Sequence, residues 1–308
     1  MKLFELDNNS LKHIRTEPFG LEKDIQNVVE NSLYELFDLE FVKTEFSIQG
    51  FRFDTLCFDE ENKSFVIIEY KKGSSYSVID QGYTYLSILL NNKSDFILEY
   101  NETKDKTLKR DEVEWEQSRI IFISPKFSEY QKNSINFKNV PFELWEITRF
   151  KNNTIGLNKL ETSSDVDINT TSKDEKSVVR QVSKEVVKID ENYHLYKSKN
   201  RPQSVIDLYF KLKERILQLG DEIEIKYQKQ TIGFKRYQKF TDIIIWNGGL
   251  GVVLNLKKGE LNDPLGKTED LSDKGKWGVG DYRIWLSGEE DFEYTIDLIK
   301  QSYNKQGE

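Results

Sequence analysis

The sequence of 308 residues contains only one cysteine, Cys57, and two histidines, His13 and His194. A single cysteine excludes an internal disulfide and a cysteine-rich zinc module, and two histidines exclude a metal site built from several imidazoles. Any metal in this protein must therefore be held by oxygen ligands, which favour hard cations such as Mg²⁺, Mn²⁺ or Ca²⁺.

Long apolar runs are also lacking. No segment approaches about 18 consecutive apolar residues, so we expect no membrane-spanning helix. The N-terminal segment has no apolar stretch of the kind found in secretory signals, and we expect a cytoplasmic protein with no membrane partner. Aromatic residues, by contrast, make up 13% of the chain, which argues against a wholly disordered protein.

A chain of this length suggests two domains, at about 150 residues each. Residues 151–176 are rich in Asn, Thr, Ser and Asp, and such a segment cannot bury enough apolar surface to fold alone. Residues 177–191 show only a weak helical pattern. We therefore predict a first domain at 1–150, a polar linker with a connecting helix at 151–196, and a second domain at 197–308.

Apolar periodicity predicts a mixed α/β first domain in the order helix, three strands, helix, strand. The first helix spans about 18 residues, with apolar side chains at three- and four-residue steps. Residues 197–308 combine two helices with several strands and predict a smaller α+β domain. The elements predicted in the first domain are a helix at 21–37, strands at Phe41–Ile48, Phe51–Phe58 and Ser64–Lys71, a helix at Val78–Leu90 and a strand at 119–124.

The net charge of −8 at pH 7 is unevenly distributed. Residues 197–239 contain eleven Lys and Arg but five Asp and Glu residues, which gives +6 inside an acidic protein. This segment is either a solvated face or a phosphate-facing patch. Five of its residues are the candidates for contacting a DNA backbone: Lys226, Lys229, Lys235, Arg236 and Lys239.

A group of charged residues interrupts the most apolar part of the first domain. Asp54 lies in FRFDTLCF, and Glu69 and Lys71 lie in VIIEYKK, where residues two apart on a strand share a face. A charged pair at the end of an apolar strand is costly to bury unless it is paired or ligates a metal. A hairpin turn near residues 60–63 would bring Asp54 level with Glu69. Two carboxylates and an ammonium are the groups that metal-assisted hydrolysis of a phosphodiester requires.

Further polar residues are spaced to frame the same cleft. Glu22 lies near the start of the first helix, and Gln81 and Tyr85, four residues apart, share one face of the following helix. Lys72 either supports the preceding lysine or contacts phosphate. On spacing alone, an ordinary ion pair at the end of a strand is an alternative interpretation of the charged pair.

Four runs of the chain, in this order, resemble the PD-(D/E)XK nuclease superfamily: LEKDIQNVVENSL, TEFSIQGFRFDTLCFDEE, FVIIEYKKG and VIDQGYTYLSILLNNKSDF. They are more narrowly similar to the branch with Glu-x-x-x-Gln on the first helix, Arg-x-Asp on the second strand and Glu-x-Lys on the third, of which EndoMS/NucS enzymes are distant examples. The resemblance covers roughly residues 15–125. It implies a restriction-endonuclease-like fold with an αβββαβ core, with Asp54 and Glu69 as metal ligands and Lys71 as the catalytic lysine.

The resemblance also implies roles for the framing residues. Glu22 matches the first-helix acid, which is expected to ligate a second metal directly or through water. Gln81 matches the glutamine of the last motif, and Tyr85 matches its aromatic companion. In the second domain, KRYQKFTDIIIW, LKKGELNDP and GKWGVGDYRIWL resemble an uncharacterised C-terminal domain that often follows nucleases of this branch.

These observations predict a DNA endonuclease dependent on Mg²⁺ or Mn²⁺, acting in restriction, phage defence or DNA repair, and many enzymes of this fold cut as dimers, so we expect a homodimer. The second domain would supply DNA affinity, substrate choice or a dimerisation surface. The alternative hypothesis is a DNA-binding or regulatory protein with a nuclease-like fold that is not catalytic, or only conditionally so.

Overall fold

The structure is a computed structural model that describes residues 1–72, 78–135, 140–160, 177–274, 278 and 280–306. The chain divides into two compact units, Met1–Lys188 and Ile189–Glu308. Both contain helices and strands, as predicted. No helix in the described ranges is long and apolar enough to cross a membrane.

The first unit begins with a two-stranded hairpin, β1 and β2, and continues with one large sheet and its helices. Its elements in chain order are β1 (Leu3–Asp7), β2 (Ser10–Ile14), β3 (Thr16–Glu17), α1 (Glu22–Glu30), α2 (Leu33–Phe37), β4 (Glu40–Ile48), β5 (Phe51–Asp59), β6 (Ser64–Tyr70), α3 (Val78–Asn91), α4 (Lys93–Lys104), β7 (Arg119–Ser124), α5 (Glu129–Ser134), β8 (Phe142–Phe150), β9 (Ile155–Leu160) and α6 (Val178–Glu185), with short 3₁₀ turns at Arg110–Glu112 and Trp115–Gln117.

The large sheet has the strand order β3-β8-β7-β6-β5-β4, and β9 also pairs with β8. β4, β5 and β6 form an antiparallel meander, whereas β6, β7 and β8 run parallel. The central strand β6 is buried along its whole length. Because parallel strands in a sheet covered on both faces read as nearly continuous apolar runs, the sequence FVII predicts this placement.

Alternate residues of β6 supply two separate cores. Phe65 and Ile67 pack on the face that carries α3 and α4, whereas Val66, Ile68 and Tyr70 pack on the face that carries α1. The alternation follows from the two-residue period of a strand. The next residue on the α3 face is Glu69, and the alternation places its side chain at the carboxyl end of the strand.

The predicted linker differs from the structure. Residues 155–160 form strand β9, which pairs with β8 from Leu144↔Leu160 to Arg149↔Ile155. The tight turn between the two strands explains the polar composition there, since Asn153 adopts a positive φ of 63°. Residues 178–185 form α6 within the first unit, and residues 161–176 lie outside the described residues.

The second unit is a helix-covered antiparallel sheet of strand order β10-β11-β12-β13-β15-β14. Buried side chains of α8 and α9, such as Tyr209 and Ile299, share a core with Ile243 and Val252 of the sheet. Its elements are α7 (Glu191–Tyr196), α8 (Gln203–Leu217), β10 (Glu224–Tyr227), β11 (Ile232–Lys235), β12 (Lys239–Trp246), β13 (Gly249–Leu254), β14 (Thr268–Asp270), β15 (Tyr282–Leu286) and α9 (Phe292–Lys305).

One glycine sets how closely α3 approaches the large sheet. A Cβ on Gly82 would lie 2.6 Å from the ring of Phe142, which is closer than carbon atoms can pack. We expect Gly82→Ala to lower the free energy of unfolding by about 1–3 kcal/mol, because overpacking outweighs the better helix propensity of alanine. Urea denaturation checks this. Gly288→Ala is the matched control, since its Cβ would meet nothing within 4 Å, and equal effects of the two changes would contradict the packing argument.

Candidate active site

The pairing of β5 with β6 brings two carboxylates side by side. The antiparallel register runs from Asp59↔Ser64 to Thr55↔Ile68, and Asp54 and Glu69 are the next residues of the two strands beyond it. The two strands are joined by the turn at residues 60–63, where the spacing predicts one. Both side chains line one cleft at the carboxyl end of β6.

Asp54 is held by one hydrogen bond to its side chain and one to its main chain. The N–H of Tyr70 donates a hydrogen bond of 3.0 Å to Asp54 Oδ2. The amide of Gln26 in α1 donates a hydrogen bond of 2.9 Å to the carbonyl oxygen of Asp54, and the same amide donates to Thr44 Oγ1 of β4 at 3.0 Å. Gln26 is buried, so this bridge fixes the backbone of Asp54 relative to the helix. Its place in the Glu-x-x-x-Gln pattern, four residues after Glu22, is the sequence signal for this contact.

Glu69 is the most enclosed charged group of the cleft, with only 5% of its surface exposed. Its Oε1 accepts hydrogen bonds from Lys71 Nζ at 2.9 Å and from Gln81 Nε2 at 2.7 Å. Gln81 Nε2 also lies 2.8 Å from Tyr85 Oη, which donates in turn to the carbonyl of Arg52 at 3.2 Å. The structure thus brings these predicted residues of β6 and α3 into one hydrogen-bonded chain.

The second carboxylate oxygen of Glu69 is buried and, among the described residues, has no hydrogen-bond partner. An unpaired buried carboxylate oxygen carries a large desolvation cost. With Asp54 adjacent, the two carboxylates form an oxygen donor pair of the type that hard divalent cations prefer. No group of three or more His, Cys, Asp or Glu side chains that could hold a metal occurs in the part of the chain that the structure describes, so the fit rests on two protein ligands.

Glu22 also lines the cleft, and its charge raises the pKa of Asp54. Its Oε1 accepts the main-chain N–H of Lys72 at 2.6 Å, and the Lys72 ammonium donates to the carbonyl of Gly20. The start of α1 is therefore fastened to the chain that leaves β6. A second metal at Glu22 and a phosphate contact of Lys72 stay predictions.

The cleft has a volume of about 560 Å³. Three residues that were not among the predicted site residues, Arg52, Tyr70 and Asp80, contribute to its lining. Arg52 lies two residues before Asp54 on β5, and this spacing is the signal that would have found it. The lining residues are Glu22, Arg52, Asp54, Glu69, Tyr70, Lys71, Asp80 and Gln81.

Burial raises the pKa of both paired carboxyls. For Asp54 it outweighs the hydrogen bond from Tyr70 and the charge of Lys71, so the pKa lies above its ordinary value of 3.8. For Glu69 burial and then the charge of Asp54 raise the pKa above 4.5, against the attraction of Lys71. The doubly ionised state is therefore costly at neutral pH, and a bound cation would relieve that cost.

The predicted DNA-contacting residues of the second unit do not form an exposed patch. All five are partly or fully buried. Lys239 is only 7% exposed, and its ammonium lies 2.6 Å from Gln228 Oε1 and 3.3 Å from Asp242 Oδ1. Arg236 is paired with Glu222 at 2.6 Å. The burial of Lys239 is at odds with a role in phosphate contact, because a charge count along the chain ignores pairing inside the fold.

We expect Asp54→Asn to raise the thermal midpoint at pH 7–8 in the presence of a chelator. A carboxyl with a raised folded-state pKa destabilises the fold once the pH exceeds its unfolded value, so the difference from wild type should grow from about pH 4 upward. Each 1 kcal/mol of stability corresponds to about 2–4 °C in the thermal midpoint of a domain of this size. Added Mg²⁺ should raise the midpoint of wild type and not of the variant, by binding linkage. Calorimetry across pH checks both, and a lower midpoint for the variant at pH 7 would contradict the charge argument.

Three comparisons with known proteins bear on the identity of the chain. Residues 195–306 match a family model described as a domain of unknown function, DUF5655. An uncharacterised protein of Haemophilus influenzae is 40% identical over 302 residues, a match that covers 98% of this chain and 99% of that protein.

Similarity to solved structures is lower. A repair endonuclease from Pyrococcus abyssi is 15% identical over 42% of this chain, with a TM-score of 0.25, and the match spans 48% of that structure. The EndoMS component of a complex with double-stranded DNA is 15% identical, with a TM-score of 0.29, over 47% of this chain and 64% of its own. TM-scores below 0.5 do not establish a shared fold. The near full-length match does establish kinship: the chain belongs to the same family as the uncharacterised Haemophilus influenzae protein.

Proposed function

We propose that the protein is a metal-dependent DNA endonuclease that hydrolyses phosphodiester bonds at the cleft between β5, β6 and α3. The observation that carries this proposal is the adjacent pair of Asp54 and Glu69, with one buried Glu69 oxygen unpartnered among the described residues and Lys71 at 2.9 Å from the other. An unsatisfied carboxylate beside a second one is costly for stability alone, and metal binding accounts for it.

In this mechanism Asp54 and Glu69 would hold a cation such as Mg²⁺ or Mn²⁺. When bound, the cation would supply positive charge that polarises a phosphoryl oxygen and stabilises the negative charge that develops there. The Lys71 ammonium, 2.9 Å from Glu69 Oε1, lies beside the pair and would orient the attacking water. Gln81 donates to Glu69 Oε1 and thereby fixes the orientation of the Glu69 carboxylate.

Other residues of the first unit would support the two metal ligands. Gln26 and the N–H of Tyr70 fix Asp54, so that both ligands are positioned before a cation arrives. The proposal includes a restriction-endonuclease-like fold for the first unit, since the order α1, β4, β5, β6, α3, β7 carries the site at the end of the antiparallel meander. A role in restriction, phage defence or repair, action as a cytoplasmic homodimer, and DNA contact through the second unit belong to the same proposal.

The charge of the cleft favours a second candidate function. Among the lining residues that the structure describes, four are acidic, Glu22, Asp54, Glu69 and Asp80, and only Arg52 and Lys71 are basic. An acidic cleft repels DNA unless a cation is bound. A DNA-binding or regulatory protein that is catalytically silent, or active only under certain conditions, would show the same cleft but would not cleave.

Cleavage assays on plasmid and duplex oligonucleotides separate the two functions. We expect cleavage with Mg²⁺ or Mn²⁺ and its loss with a chelator. Asp54→Ala, Glu69→Ala and Lys71→Ala should each reduce the rate by about 10²-fold or more, because each removes a ligand or the group that orients the nucleophile.

Asp95→Asn is the matched control, since this carboxylate lies exposed in the first turn of α4, away from the cleft lining. It should cleave as wild type does. Cleavage that survives all three cleft substitutions would overturn the proposed site, and binding without cleavage under every metal condition would favour the regulatory function.

A further inference from the structure

Glu45 occupies an unusual position on β4 beside the candidate site. Thr44 pairs with Thr55 and Phe46 pairs with Phe53, so Glu45 and Asp54 are the residues between these two pairs of the β4–β5 register. Glu45 has a φ of 50°, a left-handed conformation that costs a non-glycine residue about 1–3 kcal/mol.

Folding alone does not account for a glutamate at this position. Its side chain is 45% exposed, so it contributes little to either core. Glycine would adopt the left-handed backbone without the Cβ penalty. The role of Glu45 therefore lies in the contacts that its carboxylate makes and not in the packing of its side chain.

The carboxylate of Glu45 lies between two cations, one of which, Arg52, lines the cleft. Lys23 Nζ of α1 is 3.4 Å from its Oε1, and an Arg52 guanidinium nitrogen is 3.7 Å from its Oε2. Charge-assisted hydrogen bonds are typically shorter, about 2.7–2.9 Å, so neither cation is tightly bound. The side chains of Lys23 and Arg52 are 49% and 62% exposed, and such surface ion pairs yield readily to another anion.

Both cations are tied to the candidate site. Arg52 lines the cleft, and its carbonyl accepts the hydroxyl of Tyr85. Lys23 Nζ also donates a hydrogen bond of 3.1 Å to Gln26 Oε1, and the amide of Gln26 holds the carbonyl of Asp54. An anion between Lys23 and Arg52 would therefore lie beside the catalytic pair.

We propose that Lys23 and Arg52 form a subsite for a backbone phosphate of duplex DNA, and that Glu45 occupies this subsite in the free protein and limits DNA affinity. The inference rests on the proposed function, since the phosphate belongs to the strand that enters the cleft. Binding requires the Glu45 carboxylate to give way, and this exchanges a weak internal ion pair for a guanidinium–phosphate contact.

The test is binding of a fluorescent duplex oligonucleotide to the full chain in a chelator, measured by anisotropy over a range of salt. Glu45→Gln keeps the size of the side chain and should tighten binding about threefold to tenfold, because it frees both cations. Arg52→Ala should weaken binding about tenfold and reduce the slope of log affinity against log salt by about 1. When Glu45→Gln is combined with Arg52→Ala, it should tighten binding less than it does alone, since the two residues share one contact.

Glu35→Gln controls for the change in net charge, because Glu35 is exposed on α2. The subsite is overturned if Glu45→Gln binds no more tightly than Glu35→Gln, if Arg52→Ala binds as wild type does, or if no variant binds duplex DNA. If the variants bind DNA as expected but no metal-dependent cleavage is found, the nuclease function is contradicted and the subsite stands. Cleavage with no response to these substitutions would remove the subsite alone.

Discussion

Burial of charge at the carboxyl end of β6 is the constraint on which the rest of the first unit depends. The strand is enclosed on both faces, and Glu69 is only 5% exposed. Lys71 and Gln81 satisfy one of its oxygens, while the other has no partner among the described residues. A fold selected only for stability would pair or replace such a group, because an apolar residue of similar volume is less costly there.

The residues around Asp54 and Glu69 fix the positions of these two carboxylates and do not neutralise their charge. The Gln26 amide and the Tyr70 N–H fix the main chain and one oxygen of Asp54, yet neither cancels the repulsion between the two carboxylates. The raised pKa values of Asp54 and Glu69 express the same imbalance, since burial outweighs the attraction of Lys71 at both groups and the charge of Asp54 adds to it at Glu69. Rigid, incompletely neutralised carboxylates are what a preorganised cation site requires.

The sequence predicted the central elements well because strand burial leaves a strong local pattern. The predicted strands Phe51–Phe58 and Ser64–Lys71 end within one residue of β5 and β6. The first helix was predicted as one element, but the structure breaks it at Asn31 and Ser32, where the Asn31 side chain donates to the main-chain carbonyl of Asn27. Helix α4 was not predicted, because its apolar residues do not recur on a single face of the helix.

Side chains of the site were predictable where the residue period of a single strand or a single helix acts alone. Glu69 and Lys71 follow the two-residue alternation, and the hairpin length placed Asp54 beside them. Glu45 depends instead on how its strand pairs with the neighbouring one and on a left-handed backbone, and neither is encoded in local spacing. Lys239 shows the converse error, since its charge suggested a surface role and its position on β12 buries it beside an aspartate. Charge patterns therefore indicate function only after strand pairing decides which charges meet one another and which meet solvent.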